Sequence, residues 1–170
     1  SHMMFRAKPF GPLLQLISNH FKRPIDQYVW AATAQPIFDR IDPGFYARYV
    51  LDDPFEGASQ RQVLMQMGVA DLSVPNFGTL FHARSMGLDA VSSAGLGIHG
   101  LPDVQASRSG FSSYDYGEDP AVYVEPLIPE VSNDVHEDVR VTGAVLEQIR
   151  RFISTDGGVE VTCDGPCDPE

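Results

Sequence analysis

Apolar positions in this chain first recur at helical spacing and then collect into short runs, an order that predicts helices followed by a sheet-forming part. From Phe10 to Arg40, Leu13, Leu14, Leu16, Ile17 and Phe21, then Tyr28, Val29, Ala32, Ile37 and Phe38, fall three and four apart. Pro24 divides this stretch into two helices, and Ile41-Asp42-Pro43-Gly44 ends the second. Residues 45–51 predict another short helix after the Asp-Pro turn. Helices this apolar need a cover.

The clearest strand is Gln62–Gly68, a short apolar run ended by glycine, of the kind buried on both faces of a sheet. A polar loop through Asp71 follows, and Asn76 is expected to cap a helix through Thr79, Leu80, Phe81, Ala83, Arg84 and Met86 that Gly87 terminates. Strand, loop and helix in that order make an α/β unit whose loop lies where open α/β sheets place their chemistry. Residues 88–102 are glycine-rich, with a strand expected at Asp89–Ser92, and a second strand fits Gly110–Tyr116, where polar and aromatic residues alternate. A long loop with Pro120, Pro126 and Pro129 leads to Ser132–Asp138. After it Val139, Val141, Val145, Leu146, Ile149, Phe152 and Ile153 predict one amphipathic helix, which puts His136 in the loop just before it. No internal repeat and no low-complexity tract interrupts this order.

Length and composition fit one hydrophobic core: 170 residues, 43% hydrophobic and 21% charged. The formal net charge of -11 repels phosphate backbones, so nucleic acid is not an expected partner. The pairs Lys22-Arg23 and Arg150-Arg151 read as solvated helix ends. No apolar run approaches the roughly 20 residues of a membrane helix, so no membrane span is expected, and no signal peptide opens the sequence. Ser1-His2-Met3 reads as a remnant of tag cleavage, so residues 1–4 are set aside and the natural chain is expected to begin later or to be cut from something longer. Near the other end, Gly165-Pro166 turns the chain between Cys163 and Cys167. A small disulfide loop is the favoured reading, implying an exported parent protein. Two free thiols on a frayed tail are the alternative, and a zinc site lacks two further ligands.

Two loops match a known pattern in type and order. Gly68-Val69-Ala70-Asp71-Leu72-Ser73-Val74-Pro75 resembles the acid loop of the α/β-hydrolase superfamily, and His136, 65 residues later, is similar to its histidine between the last strand and the last helix. The resemblance covers roughly residues 60–155. It implies an α/β fold in which residues 59–170 form the C-terminal strands and helices of a partial hydrolase-like sheet, preceded by a helical cap-like segment at residues 5–58. It also implies roles: the Asp71 carboxylate accepts the Nδ1–H of His136 and fixes the tautomer, and His136 moves protons. Read without the resemblance, Asp71 is a loop aspartate capping the following helix, and His136 a surface or cap histidine beside Asp134, Glu137 and Asp138.

The nucleophile of such a triad is missing. The superfamily places its serine in Gly-x-Ser-x-Gly ahead of the acid, and no such pentapeptide occurs here. The nearest approach, Val91-Ser92-Ser93-Ala94-Gly95, lies after Asp71, and Gly97 and Pro102 spoil the helix that should follow. Ser93 is therefore not read as a nucleophile, and Ser73 is read as a turn or capping hydroxyl. Gly95–Gly100 spells the dinucleotide fingerprint without the helix that gives it meaning, so a flexible loop is expected there and no cofactor is assigned. His136-Glu137 is no zinc-protease motif, because position 140 is arginine, and no metal site is assigned. His20 and His82 read as packed or surface side chains, and His99 has no assigned place.

Three readings follow. In the first, the chain is the C-terminal part of an esterase- or lipase-like serine hydrolase acting on a small-molecule ester, its nucleophile half lying elsewhere, and is inactive alone. In the second it is a non-catalytic module derived from that fold and used for binding or assembly. In the third the loop match is accidental in another α/β fold. A half-sheet leaves a strand edge that calls for a partner, either the missing N-terminal nucleophile half or another copy of the chain.

Overall fold

The computed structural model describes residues 6–92, 97–118, 132–154, 156–163 and 167. The tag remnant, Ser93, the loop of Pro120, Pro126 and Pro129, and the Gly165-Pro166 turn lie outside the described residues. Helix α1 spans Gly11–His20 and α2 Pro24–Phe38, with Pro24 in the first turn, where its missing N–H forfeits no hydrogen bond. The short helix expected at residues 45–51 forms as two four-residue turns, α3 (Pro43–Tyr46) and α4 (Arg48–Leu51). Asp42 caps α3 by accepting the Gly44 N–H at 2.9 Å. These helices reach the rest of the fold at named points. Gly44 lies against the Phe81 ring, which leaves no room for a Cβ, and Lys8 N donates to Leu72 O at 2.9 Å. Much of their apolar surface stays uncovered among the described residues: Ile37 and Ile41 are 72% and 76% exposed, and Ile25, Val29, Phe45 and Phe55 are exposed as well.

The remaining elements form a mixed α/β unit. Strand β1 is Leu64–Gly68, helix α5 Asn76–Ser85 and β2 Asp89–Ser92. A two-residue β3 (Ala106–Ser107) precedes β4 (Gly110–Tyr114). Helices α6 (Val135–Val141) and α7 (Gly143–Phe152) and the two-residue β5 (Val159–Glu160) complete the order. The sheet runs β1-β4-β2, all parallel, with Leu64 opposite Gly110 and Gly68 opposite Tyr114; β3 pairs antiparallel with β5. Residues 102–104 lie along the far side of β2, where Ala90 N donates to Pro102 O and Val104 N to Ala90 O. The outer side of β1 carries no strand among the described residues.

Successive side chains of a strand point to opposite faces, and both faces here are covered. Met67, Phe111 and Ala90 pack with Ala83 of α5 and with Val69, Leu88, Ile98 and Leu101. On the other face Tyr114 packs with Val145 of α7 and with Cys167, which a disulfide joins to Cys163. Central strand β4 is buried throughout, so its polar side chains need internal partners. Gln148 of α7, fully buried, supplies those of Ser112 and Tyr114, while Ser113 Oγ is buried without a hydrogen-bond partner among the described residues. Gln148 Nε2 donates to Ser112 Oγ and Glu160 O, both at 2.8 Å, and its Oε1 accepts from Gln66 Nε2 at 2.8 Å and Tyr114 OH at 2.9 Å. All four hydrogen-bonding positions of the amide are thereby used. Burial pushes the Tyr114 phenol pKa above its ordinary value, so the group stays a neutral donor.

The single amphipathic helix expected through Val139–Ile153 is broken. Thr142 adopts an extended conformation that ends α6 and precedes α7, and its hydroxyl meets Tyr116 OH at 2.8 Å. Apolar spacing continues across the break, so periodicity alone does not reveal it. His136 is consequently the second residue of the short α6 rather than part of a loop before the last helix. Helix α7 also carries an exposed cluster, in which Arg150 and Arg151 hold the Glu147 carboxyl down to about 2.

Replacing the hub of the buried network tests its weight. Gln148→Leu leaves Tyr114 OH and Ser112 Oγ without this partner, while Gln66 Nε2 keeps Val145 O, and at about 1–3 kcal/mol per orphaned buried group the loss is expected to be at least about 2 kcal/mol. Urea denaturation monitored by circular dichroism measures it. A change below about 0.5 kcal/mol, the range of neutral surface substitutions, would mean that the network contributes little.

Candidate functional site

The acid loop starts where β1 stops. Val69 N still donates to Tyr114 O at 2.8 Å, continuing the parallel pairing by one bond, and then Ala70 turns the chain with a φ of 73°. An L-residue with a Cβ pays roughly 1–2 kcal/mol for that left-handed conformation. The backbone groups around the turn are held by side chains. Ala70 N donates to Asn76 Oδ1 at 3.0 Å, Asn76 Nδ2 donates to Gly68 O at 2.8 Å, and Asn133 Nδ2 donates to Ala70 O at 2.9 Å. Asn76 is therefore not the expected helix cap. Its side chain is buried and turned back onto the loop, and Pro75 occupies the capping position of α5.

Asp71 follows this turn and is almost wholly buried. One carboxylate oxygen, Oδ1, accepts the backbone N–H of Ser73 at 2.7 Å and of Val74 at 2.8 Å, an Asx turn that fixes the plane of the carboxylate. These are loop amides, so Asp71 caps its own loop and not helix α5. The other oxygen, Oδ2, lies 2.8 Å from His136 Nδ1. A carboxylate in this position accepts the Nδ1–H, which leaves Nε2 as the basic nitrogen of a neutral ring.

Two features bring the histidine there. Gly68 has no side chain, and a Cβ at that position would collide with Val135 Cγ1, so the start of α6 lies directly against the end of β1. Val135, fully buried, anchors the helix there, and the adjacent His136 projects toward Asp71 with 35% of its side chain exposed. Among the described residues Nε2 has no hydrogen-bond partner, and no serine or cysteine bonds to the ring. The two residues singled out from the sequence are thus brought together.

The other candidates fall elsewhere. Ser73 contributes its backbone N–H to the Asx turn. His20 lies on the exposed side of α1 with Nδ1 3.1 Å from Leu16 O, and His82 has Nδ1 2.8 Å from Gly78 O. Exposed His99 offers its carbonyl to Arg84 Nε at 2.7 Å. Residues 97–100 of the glycine-rich stretch lead through residues 101–105 into β3 without opening a helix. Asn76 and Asn133 were missed as parts of the site. Asn76 has the sequence signature of a cap, and nothing local separates Asn133 from its polar neighbours.

No protein-family model matches the chain, and comparison with curated proteins and with solved structures returns no match.

The close approach at Gly68 is open to a direct test. Gly68→Ala forces α6 away from β1, at about 1–3 kcal/mol for an overpacked buried contact, and the Asp71–His136 separation is expected to exceed hydrogen-bond range in a crystal structure of the variant. An unchanged 2.8 Å pair in an equally stable variant would show that the helix position is set elsewhere.

Proposed function

We propose that Asp71 and His136 supply the acid and the base of a serine-hydrolase triad whose nucleophile is carried by a segment other than this chain. In this reading residues 59–170 are the C-terminal portion of an α/β-hydrolase-like fold, and residues 5–58 are a cap-like segment. The observation that carries the proposal is the 2.8 Å contact between a buried, backbone-fixed carboxylate and a partly exposed imidazole whose Nε2 has no hydrogen-bond partner among the described residues. Asp71 stands on the loop after β1 and His136 in the first turn of α6, both beside the carboxyl end of β1 in a parallel sheet, where such sheets place their chemistry.

The chemistry follows from the geometry. A serine hydroxyl brought to Nε2 gives its proton to His136 as its oxygen attacks the ester carbonyl, and Asp71 stabilises the imidazolium that forms. His136 then returns the proton to the departing alcohol. Water repeats the cycle to release the acid. A small-molecule ester is the proposed substrate, and the apolar side chains of residues 10–50 favour an apolar one.

A second reading, a non-catalytic assembly module, is favoured by the side of β1 that carries no strand among the described residues and by the exposed apolar residues of α2 and α3. Activity separates the two. Expressed with the segment that supplies the serine, the protein is expected to hydrolyse p-nitrophenyl esters, with Asp71→Asn or His136→Ala lowering kcat by about four orders of magnitude. The chain alone is expected to show no turnover above its His136→Ala control. Turnover by the complete protein that ignores both substitutions would remove the pair from the mechanism, and phosphonate labelling of Ser93 in an active isolated chain would relocate the nucleophile.

Association gives an independent expectation. Exposed apolar surface at about 25 cal/mol per Å² and a β1 edge that is unpaired among the described residues favour pairing, so light scattering over a dilution series of the isolated chain is expected to report a dimer or larger species. A cooperative, well-folded monomer at every concentration would count against a missing partner.

A further inference from the structure

We propose that Asn133 is a positioning residue for the Asp71–His136 pair, acting through the peptide that joins Ala70 to Asp71. Three observations converge on it. Ala70 holds a left-handed conformation that L-residues rarely adopt, and such a conformation persists only where its surroundings impose it. Its N–H and its carbonyl are both taken by asparagine side chains, Asn76 from the start of α5 and Asn133 from just ahead of α6. Asn133 is also three residues before His136, so one segment reaches the acid loop twice: Asn133 Nδ2 to Ala70 O at 2.9 Å, and His136 Nδ1 to Asp71 Oδ2 at 2.8 Å.

Two attachment points do what one does not. The Val135 anchor and a single bond from the imidazole to the carboxylate still let the first turn of α6 rotate about the line joining them and carry Nε2 with it. A second bond, to the carbonyl immediately before Asp71, removes that rotation and fixes where Nε2 points. The ordinary employment of an asparagine here would be to cap α6, but Asp134 holds the capping position and no side chain bonds to the helix end. The donor of Asn133 goes to the acid loop instead.

The value of this positioning rests on the proton-transfer reading above, but the tether itself is measurable without a substrate. In the full chain labelled with nitrogen-15, the Nδ1–H of His136 is expected as a downfield proton resonance, assigned by its loss in His136→Gln and protected from exchange with water. Asn133→Ala is expected to speed that exchange at least tenfold or broaden the signal away. Asn133→Asp keeps the shape but offers no donor, and is expected to do the same. Tyr116→Phe serves as the control for loosened packing, since it removes the 2.8 Å contact with Thr142 at the other end of α6 and is expected to leave the resonance in place. Wild-type exchange in both Asn133 variants, or an equal loss in Tyr116→Phe, would overturn the proposal. An Asn133-dependent signal in a complete protein that lacks esterase activity would sink the hydrolase reading alone. Esterase activity with an Asn133-independent signal would sink the positioning role alone.

Discussion

The site depends on how closely a helix can approach the end of a strand. Asp71 is held by its own loop, but His136 arrives on α6, and the approach of that helix is limited by whatever stands on the last residue of β1. Glycine at position 68 sets this limit at backbone contact with Val135. Parallel pairing of β1 with β4, and the docking of α7 on β4 through Gln148, hold the rest of that face in place. A conformational constraint of one residue and a polar network several residues away thus serve the same end, a helix start pressed onto a strand end.

The acid and the base are fixed by different means. Two backbone amides orient the Asp71 carboxylate whether or not a histidine is present, so the acid half of the pair is prepared locally. The base half is a tertiary product. Its ring depends on Val135 packing, on the approach at Gly68 and on Asn133, contacts that span most of the sheet-forming part of the chain. Exposure follows the same division: the Asp71 side chain is enclosed, and about a third of the His136 side chain is exposed.

Much of this was legible in the sequence because the signals are local. A short apolar run closed by Gly68, a polar loop and a helix ended by Gly87 are read within about ten residues of one another, and β1, α5, β2 and β4 appear close to where those signals place them. The pairing of Asp71 with His136 followed from loop order. What escaped depends on distant partners. Apolar spacing runs through Thr142, whose extended backbone is tied to a contact with Tyr116. Asn76 looks like a cap and acts on a turn six residues earlier, and the left-handed Ala70 has no signature because alanine, unlike glycine or asparagine, does not mark such a turn. Two-residue strands such as β3 and β5 lie below the length at which alternation can be recognised.

The spatial order β1-β4-β2 bears on how the protein is made. Strand β2 is synthesised before β4, yet β4 lies between β1 and β2, so the two outer strands cannot pair with each other and be extended. They must wait with a gap between them. Val63 and Ser109, bonded at the start of the β1–β4 pair, are 46 residues apart, a delay of roughly 2 to 9 seconds at translation rates of about 5–20 residues per second. The β1 flank of the future central strand is open to capture throughout that interval, and the β2 flank from the time β2 is made until β4 arrives. The sheet is closed from the middle, and a newly made chain is exposed to such capture on the ribosome just before β4 arrives.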